Sequence, residues 1–366
     1  MSQAATGVWI EDVGERKAVE NRLLRIVIGT DGCLEQVYDK LADREVLDGR
    51  GNQLWAYVDK PREWDAWDID SRYELGGEEV NGADEIRVVE RGPLRAAVRV
   101  ERAWRGSRII QTYRLLAGSC RVDIETHVEW HERQVLIRAL FPLTVRSHEA
   151  TFETMYGAVR RPTHRNTSWD AARFEVSAHR FADLSEPGYG VALLNDGKYG
   201  HSAHNNVLGI SLLRSPVYPD PLADQGEHRF TYSLFPHRED WTQAGVVQEA
   251  FDLNSPLFAS GSVPSESVPN EGALPFESGL ASVEGLALSL GSLKRAEDSE
   301  DFILRLYEPH GARGKSVLNF CQEIKWAEIV DLLEEVDTSR SAPRLDGNAL
   351  LLEVQPLEVI TLRVAL

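Results

Sequence analysis

Residues Arg121–Trp130 read R-V-D-I-E-T-H-V-E-W. Val122, Ile124, Thr126, Val128 and Trp130 alternate with Asp123, Glu125, His127 and Glu129. A period of two puts the first set on one face of a β-strand and the second set on the other. One dry face and one wet face mark an antiparallel sheet that covers a core from one side. The pattern spreads outward in both directions. Upstream, Val98 and Val100 alternate with Arg99 and Glu101, and Ile109, Gln111 and Tyr113 follow. Leu24, Ile26 and Ile28 share a face, Asp31-Gly32 turns the chain, and Cys33–Tyr38 returns it as a hairpin. Leu54–Val58 is a further short strand. Downstream, Val135–Phe141 ends at Pro142, and Phe174, Val176 and Ala178 are spaced for one strand face.

Val191–Leu194 is a short apolar run that suits a buried strand, and Asn195-Asp196-Gly197 predicts a tight hairpin directly after it. Phe230–Phe235 predicts a strand, and Thr242–Phe251 a helix with Val246, Val247 and Ala250 on its apolar side. Asn254–Ser278 is rich in Ser, Pro and Gly and predicts a linker or long loop. Strands resume at Ala287–Leu290, Phe302–Tyr307, Lys315–Asn319, Ala349–Val354 and Val359–Val364, while Glu328–Val336 fits either helix or strand. Many short strands without an alternating strand–helix rhythm predict an all-β protein built of sandwiches. The organisation expected is 1–20 as a tail or linker remnant, 21–253 as a large β domain, 254–278 as linker, and 279–366 as a second β domain.

The 366 residues carry a formal charge of −18. That balance opposes binding to phosphate backbones or anionic membranes and argues against both partners. No apolar run approaches the ~18 residues of a membrane helix, and the first residues lack the basic-then-apolar order of a signal peptide. Cys33, Cys120 and Cys321 are three widely spaced cysteines with no CxxC pair, which fits reduced thiols and a cytoplasmic setting.

Pro61–Tyr73, P-R-E-W-D-A-W-D-I-D-S-R-Y, is the most unusual stretch. Trp64 and Trp67 are interleaved with Asp65, Asp68 and Asp70, and Tyr73 closes the set. Indole faces stack on the C–H faces of sugar rings, and carboxylates accept hydrogen bonds from hydroxyls. A surface loop pinned by two buried tryptophans, with aspartates capping turns, fits the same residues. Lys198 and Tyr199 form a second polar and aromatic group just past a turn. Metal chemistry finds little support. His127 and His131 would lie ~13 Å apart on a strand, and His201 and His204 lack acidic neighbours at ligand spacing. No G-x-S-x-G elbow, phosphate loop or dinucleotide fingerprint occurs.

The run from Arg161 to Gly200, R-P-T-H-x-N-T-S-W-D…R-F-E-V…H-R…D-L-S-E-x-G-x-G-V-A-L-L-N-D-x-K-Y-G, resembles the C-terminal half of glycoside hydrolase family 38, the α-mannosidases. The resemblance is strongest to the cytosolic and bacterial branch. It continues through Ile210–Pro216, Pro219–Tyr232, Phe235-Pro236-His237 and Arg305–Gly314, and covers most of the chain from about Asn21. It implies a large antiparallel β-supersandwich of the galactose-mutarotase type followed by a small β-sandwich.

In that family the nucleophile, the acid and the zinc ligands lie mainly in an N-terminal α/β barrel and the helical segment after it. Only 20 residues precede Asn21, against ~250 for a barrel. The resemblance therefore implies no catalytic residue and no cofactor in this chain, with zinc or another divalent ion expected in the catalytic domain. It implies a non-catalytic portion that packs on the barrel and lends rim residues to an α-mannoside: Trp64, Asp65, Trp67, Asp68, Asp70, Tyr73, Lys198 and Tyr199. Expected partners are the carbohydrate, the barrel and, through the face left for the barrel, a second copy of the chain. Two other functions fit the residues. A stand-alone carbohydrate-binding module would use the Trp/Asp loop with His164, Asn166 and Trp169. An aldose-epimerase-like enzyme would need a histidine and a glutamate across one sheet, for which His179 and Glu175 are the candidates.

Overall fold

The structure is a computed structural model that describes residues 7–260, 279–340 and 342–366. The described residues divide into two units, one within Met1–Glu153 and Val159–Pro256, the other within Thr154–Ala158 and Leu257–Leu366. The predicted linker 254–278 lies largely outside the described residues.

The first unit holds three antiparallel sheets. Its nine-stranded sheet runs in the order Gly157–Pro162, Glu149–Thr154, Phe181–Glu186, Tyr189–Asn195, Gly226–Arg238, Val122–Trp130, Ser107–Leu116, Arg95–Trp104, Glu85–Arg91. The alternation read at Arg121–Trp130 is seen directly, with every odd member of the strand buried and every even member partly exposed. The wet face carries ion pairs, such as Arg99 with Glu101 along one strand and Arg108 with Glu101 across two. A six-stranded sheet runs Val176–Ser177, Gly200–His204, Val207–Leu213, Val135–Pro142, Gln53–Val58, Gly77–Glu79. A five-stranded meander covers Trp9–Val13, Arg16–Glu20, Leu24–Ile28, Leu34–Asp39 and Arg44–Glu45. All three sheets feed one core, in which Ile26, Val98, Ile124, Phe141, Leu193, Ile210 and Tyr232 are buried together. Polar groups inside that core satisfy one another. Tyr113 donates to the Gly32 carbonyl at 2.7 Å and accepts from Asn52 at 2.6 Å, and Gln111 donates to Tyr232 at 2.6 Å.

The second unit is a small sandwich of two four-stranded sheets: Ala281–Gly285, Gly314–Phe320, Ala349–Val354, Arg344–Asp346, and Ser289–Arg295, Phe302–Tyr307, Val359–Ala365, Trp326–Val330. Leu304, Leu318, Phe320, Leu350, Ile360 and Leu362 fill it. The all-β reading and its division into a large and a small sandwich therefore hold.

Three local expectations fail. Trp9–Glu20, expected as a tail, is a hairpin whose Val19 and Ala18 are buried; these two neighbours are the buried residues of its strands, so the segment has no period-two alternation to read. Asn195-Asp196-Gly197 does not close a hairpin. Tyr189–Asn195 belongs to the nine-stranded sheet and Gly200–His204 to the six-stranded one, so the turn is a crossing between sheets. The strand expected through Phe174–Ala178 shrinks to Val176–Ser177, because Thr167 caps a one-turn helix, Ser168–Ala171, in a reciprocal bond with Asp170. The predicted helix is present as Val246–Asn254, with Val246, Val247 and Ala250 buried.

Candidate functional site

Pro61–Tyr73 forms a loop between the edge strand Gly77–Glu79 and its neighbour Gln53–Val58, ending in the single turn Tyr73–Gly76. Pro61 and the run of aspartates keep it out of the sheet. Its tip is a turn in which the Trp67 and Asp68 amides both donate to the Trp64 carbonyl at 2.8 Å. Trp64 has φ +60°, the left-handed region that bulky residues rarely enter. Trp64 is 66% and Trp67 65% exposed, so neither pins the loop. Their rings meet edge to face with centroids 6.4 Å apart.

The loop is held by its polar groups instead. Asp65 accepts from the amides of Val217 at 2.7 Å and Tyr218 at 3.1 Å. Arg214 grips Asp59 with Nε at 2.6 Å and Nη2 at 3.2 Å, then donates from Nη1 to the Ala66 carbonyl at 3.1 Å and from Nη2 to the Asp68 carbonyl. Asp59 is buried; burial pushes its carboxyl up and the Arg214 guanidinium pulls it back. Asp68 accepts from the Ile69 amide at 2.9 Å. Asp70 accepts from the Arg72 amide at 2.9 Å and pairs with its guanidinium, which lowers the Asp70 carboxyl.

Tyr73 is only 4% exposed. Its ring lies edge-on to Tyr57 at 5.0 Å and near Phe174 at 5.9 Å, and its hydroxyl accepts from Arg138. It forms the inner wall of an open groove of about 280 Å³ shared with Val58, Lys60, Asp70, Arg72 and Leu75. Beneath it, Arg138 and Glu175 form a buried ion pair, with Ser202 on Arg138 at 2.6 Å and Ser211 donating to Glu175. Two strand glycines leave room for these groups. A Cβ at Gly209 would stand 2.8 Å from Arg138 Nη2, and one at Gly200 would stand 2.9 Å from Glu175 Oε1. A second ion pair, Arg165 with Glu74 at 2.8 Å, joins the segment before the short helix to the same rim.

Lys198 and Tyr199 make their contacts elsewhere. The Lys198 ammonium lies 4.3 Å over the Phe230 ring, and burial lowers its pKa. Tyr199 is exposed and edge-on to His179 at 6.0 Å. Trp169 is exposed on the short helix. The histidine and glutamate considered for an epimerase do not share a cavity, since His179 is exposed while Glu175 is enclosed with Arg138. Among the described residues no group of three or more His, Cys, Asp or Glu is placed to hold a metal ion. His201 is fully buried and bonded to the Lys198 carbonyl at 3.1 Å.

The sequence reading did not single out Arg138, Arg214 or Asp59. One signal was available: Arg138 is the sole charge in the apolar run Val135–Phe141, and a lone arginine in a buried strand needs a buried counter-charge.

Residues 19–222 match the family description "Glycosyl hydrolases family 38 C-terminal domain", and residues 287–362 match "Glycosyl hydrolases family 38 C-terminal beta sandwich domain". The chain is 38% identical over 370 residues to Alpha-mannosidase 2C1 of Homo sapiens, covering 98% of this chain and 34% of that protein. It is 36% identical over 372 residues to Alpha-mannosidase G of Dictyostelium discoideum, covering 98% and 33%. The chain thus spans about a third of the length of these curated relatives. Its fold is similar to the crystal structure of an alpha-mannosidase from Enterococcus faecalis V583, with a TM-score of 0.76 at 17% identity, covering 94% of this chain and 42% of that one.

Proposed function

The chain belongs to glycoside hydrolase family 38, whose C-terminal β domains it carries, and from that premise we propose that it is the non-catalytic wall of an α-mannosidase. In this reading it packs against an N-terminal catalytic barrel and lends rim contacts to an α-mannoside. The observation that carries the proposal is the pair of exposed indoles, Trp64 and Trp67, presented by a loop whose backbone is fixed by Arg214 and Asp65. A rigid aromatic platform bordered by Asp68 and Asp70 suits a polyhydroxylated ring, because stacking and hydroxyl recognition need no reordering of the loop. Tyr73 serves as the groove's inner wall, and Lys198 and Tyr199 as a second contact group. The zinc or other divalent ion of the reaction belongs in this reading to the barrel. The three unpaired cysteines support a cytoplasmic protein.

The test joins this chain to the N-terminal portion of an α-mannosidase relative and measures hydrolysis of an aryl α-mannoside with zinc or cobalt. Trp67→Ala in the assembled protein raises KM, and the isolated chain gives no turnover. Turnover by the isolated chain well above buffer, or an unchanged KM in the variant, refutes the proposal. The same platform also suits a carbohydrate-binding module acting without a barrel. Binding of manno-oligosaccharides to the isolated chain, followed by tryptophan emission, together with an unchanged KM for Trp67→Ala in the assembled protein, favours that second reading.

A further inference from the structure

We infer that Arg214 is a positioning residue for the Trp64–Trp67 platform, an inference that rests on the proposed rim function and assigns its geometry to one side chain. Three observations meet at this guanidinium. First, Trp64 sits at φ +60°, a conformation in which the Cβ crowds the following carbonyl; a bulky residue persists there only where surrounding contacts over-determine it. Secondly, both indoles are about two-thirds exposed, so apolar packing does not supply that determination. Thirdly, the carbonyls on either side of Trp67, those of Ala66 and Asp68, are both acceptors of Arg214, which is itself anchored by both oxygens of the buried Asp59.

The geometry suits an arginine alone. Its planar fork reaches one carboxylate on one edge and two backbone carbonyls on the other, whereas a lysine offers a single point charge with no fixed plane. Asp65 closes the opposite side of the turn through the Val217 and Tyr218 amides, so the chain just after Arg214 is fastened to the same loop. The dihedral strain at Trp64 and the clamp at Arg214 therefore belong together. Without the clamp the turn relaxes towards ordinary backbone angles and the two rings lose their fixed edge-to-face angle.

The decisive measurement is the circular-dichroism couplet of the two indoles, obtained as the difference between the parent protein and Trp67→Phe. Arg214→Lys is expected to lose at least about half of that couplet and to weaken manno-oligosaccharide binding about tenfold. Arg121→Lys, which loosens the largely enclosed pair of Arg121 with Asp123 away from this loop and leaves the Ala66 and Asp68 carbonyls engaged, serves as the stability-matched control and keeps the couplet. A merely structural role for Arg214 would move the two variants alike. Should Arg214→Lys fail to fold, the neutral double variant Arg214→Gln/Asp59→Asn removes both buried charges while freeing the two carbonyls, and the couplet must still fall. An unchanged couplet in either Arg214 variant, or a fall matched by Arg121→Lys, overturns the inference. If the couplet falls as expected but the parent binds no mannoside, the positioning role stands and the proposed rim function fails.

Discussion

Arg138 Nη2 lies 3.1 Å from Glu175 Oε2, with the two side chains 2% and 10% exposed. This pair ties a central strand of the six-stranded sheet to the segment that follows the short helix, and Arg138 also donates to Tyr73 in the aromatic loop. Burial pushes the Glu175 carboxyl up, and Arg138 with Ser211 pulls it back. The ion pair costs desolvation, and its contacts join both loops to the sheet.

Arg138→Met strands Glu175 without its counter-charge, which costs about 3–5 kcal/mol. Arg138→Met/Glu175→Leu recovers most of that loss, because no buried charge remains. Urea unfolding of the two single variants and the double at neutral pH measures the coupling. The sign of the pH effect follows from the raised Glu175 pKa. A carboxyl that is harder to ionise in the folded state contributes stability below its unfolded pKa and loses it as pH rises. The deficit of Arg138→Met therefore shrinks on acidification towards the ordinary glutamate range, and a constant deficit contradicts the account.

His201 lies in the core with no exposed surface, and burial lowers its pKa to about 3. The folded protein keeps it neutral, while the unfolded chain protonates it below about 6.5. Its contribution is fully present above that value and is lost as pH falls from 6.5 towards 3, by up to about 1.4 kcal/mol per pH unit. His201→Leu is expected to flatten the stability profile between pH 6 and 4 by close to one proton, read from unfolding midpoints across that window.

Trp64→Ala and Trp67→Ala remove side chains that are two-thirds exposed. Each changes stability by less than about 0.5 kcal/mol. Each also abolishes most of the tryptophan-emission response to manno-oligosaccharides. Loss of stability without loss of the response would place these indoles in the fold rather than at a ligand.

Gly92 has φ +91°, and a Cβ there would stand 2.0 Å from the Val8 carbonyl oxygen. The neighbouring Val8 amide donates to Pro93 at 2.8 Å, docking the start of the five-stranded meander. Gly92→Ala therefore costs about 2 kcal/mol and opens Trp9–Glu20 to limited proteolysis first. Cleavage elsewhere ahead of this hairpin contradicts that order.

The fold was legible where chemistry is local and periodic. Arg121–Trp130 shows its two faces in its own residues, since alternation follows from strand geometry alone. The family was legible in the extended run from Arg161 to Gly200. Trp64 and Trp67 stood out by their spacing with aspartates, but the sequence left open whether they are exposed or a buried staple, because exposure depends on what the rest of the chain leaves uncovered. Asn195-Asp196-Gly197 misled for a related reason. A turn signal states that the chain reverses, not which sheet receives the next strand.

The sequence by itself determined the class of structure, the positions of most core strands, the small second sandwich and the identity of the aromatic loop, because dry-face alternation and turn chemistry act over a few residues. Tertiary structure alone decided that Arg214 and Asp59, 155 residues apart, would clamp that loop, and that Arg138 would meet Glu175 beneath it. Those pairings form only when strands distant in the chain are brought side by side, and a buried charge can choose its partner only after the sheet around it has excluded water.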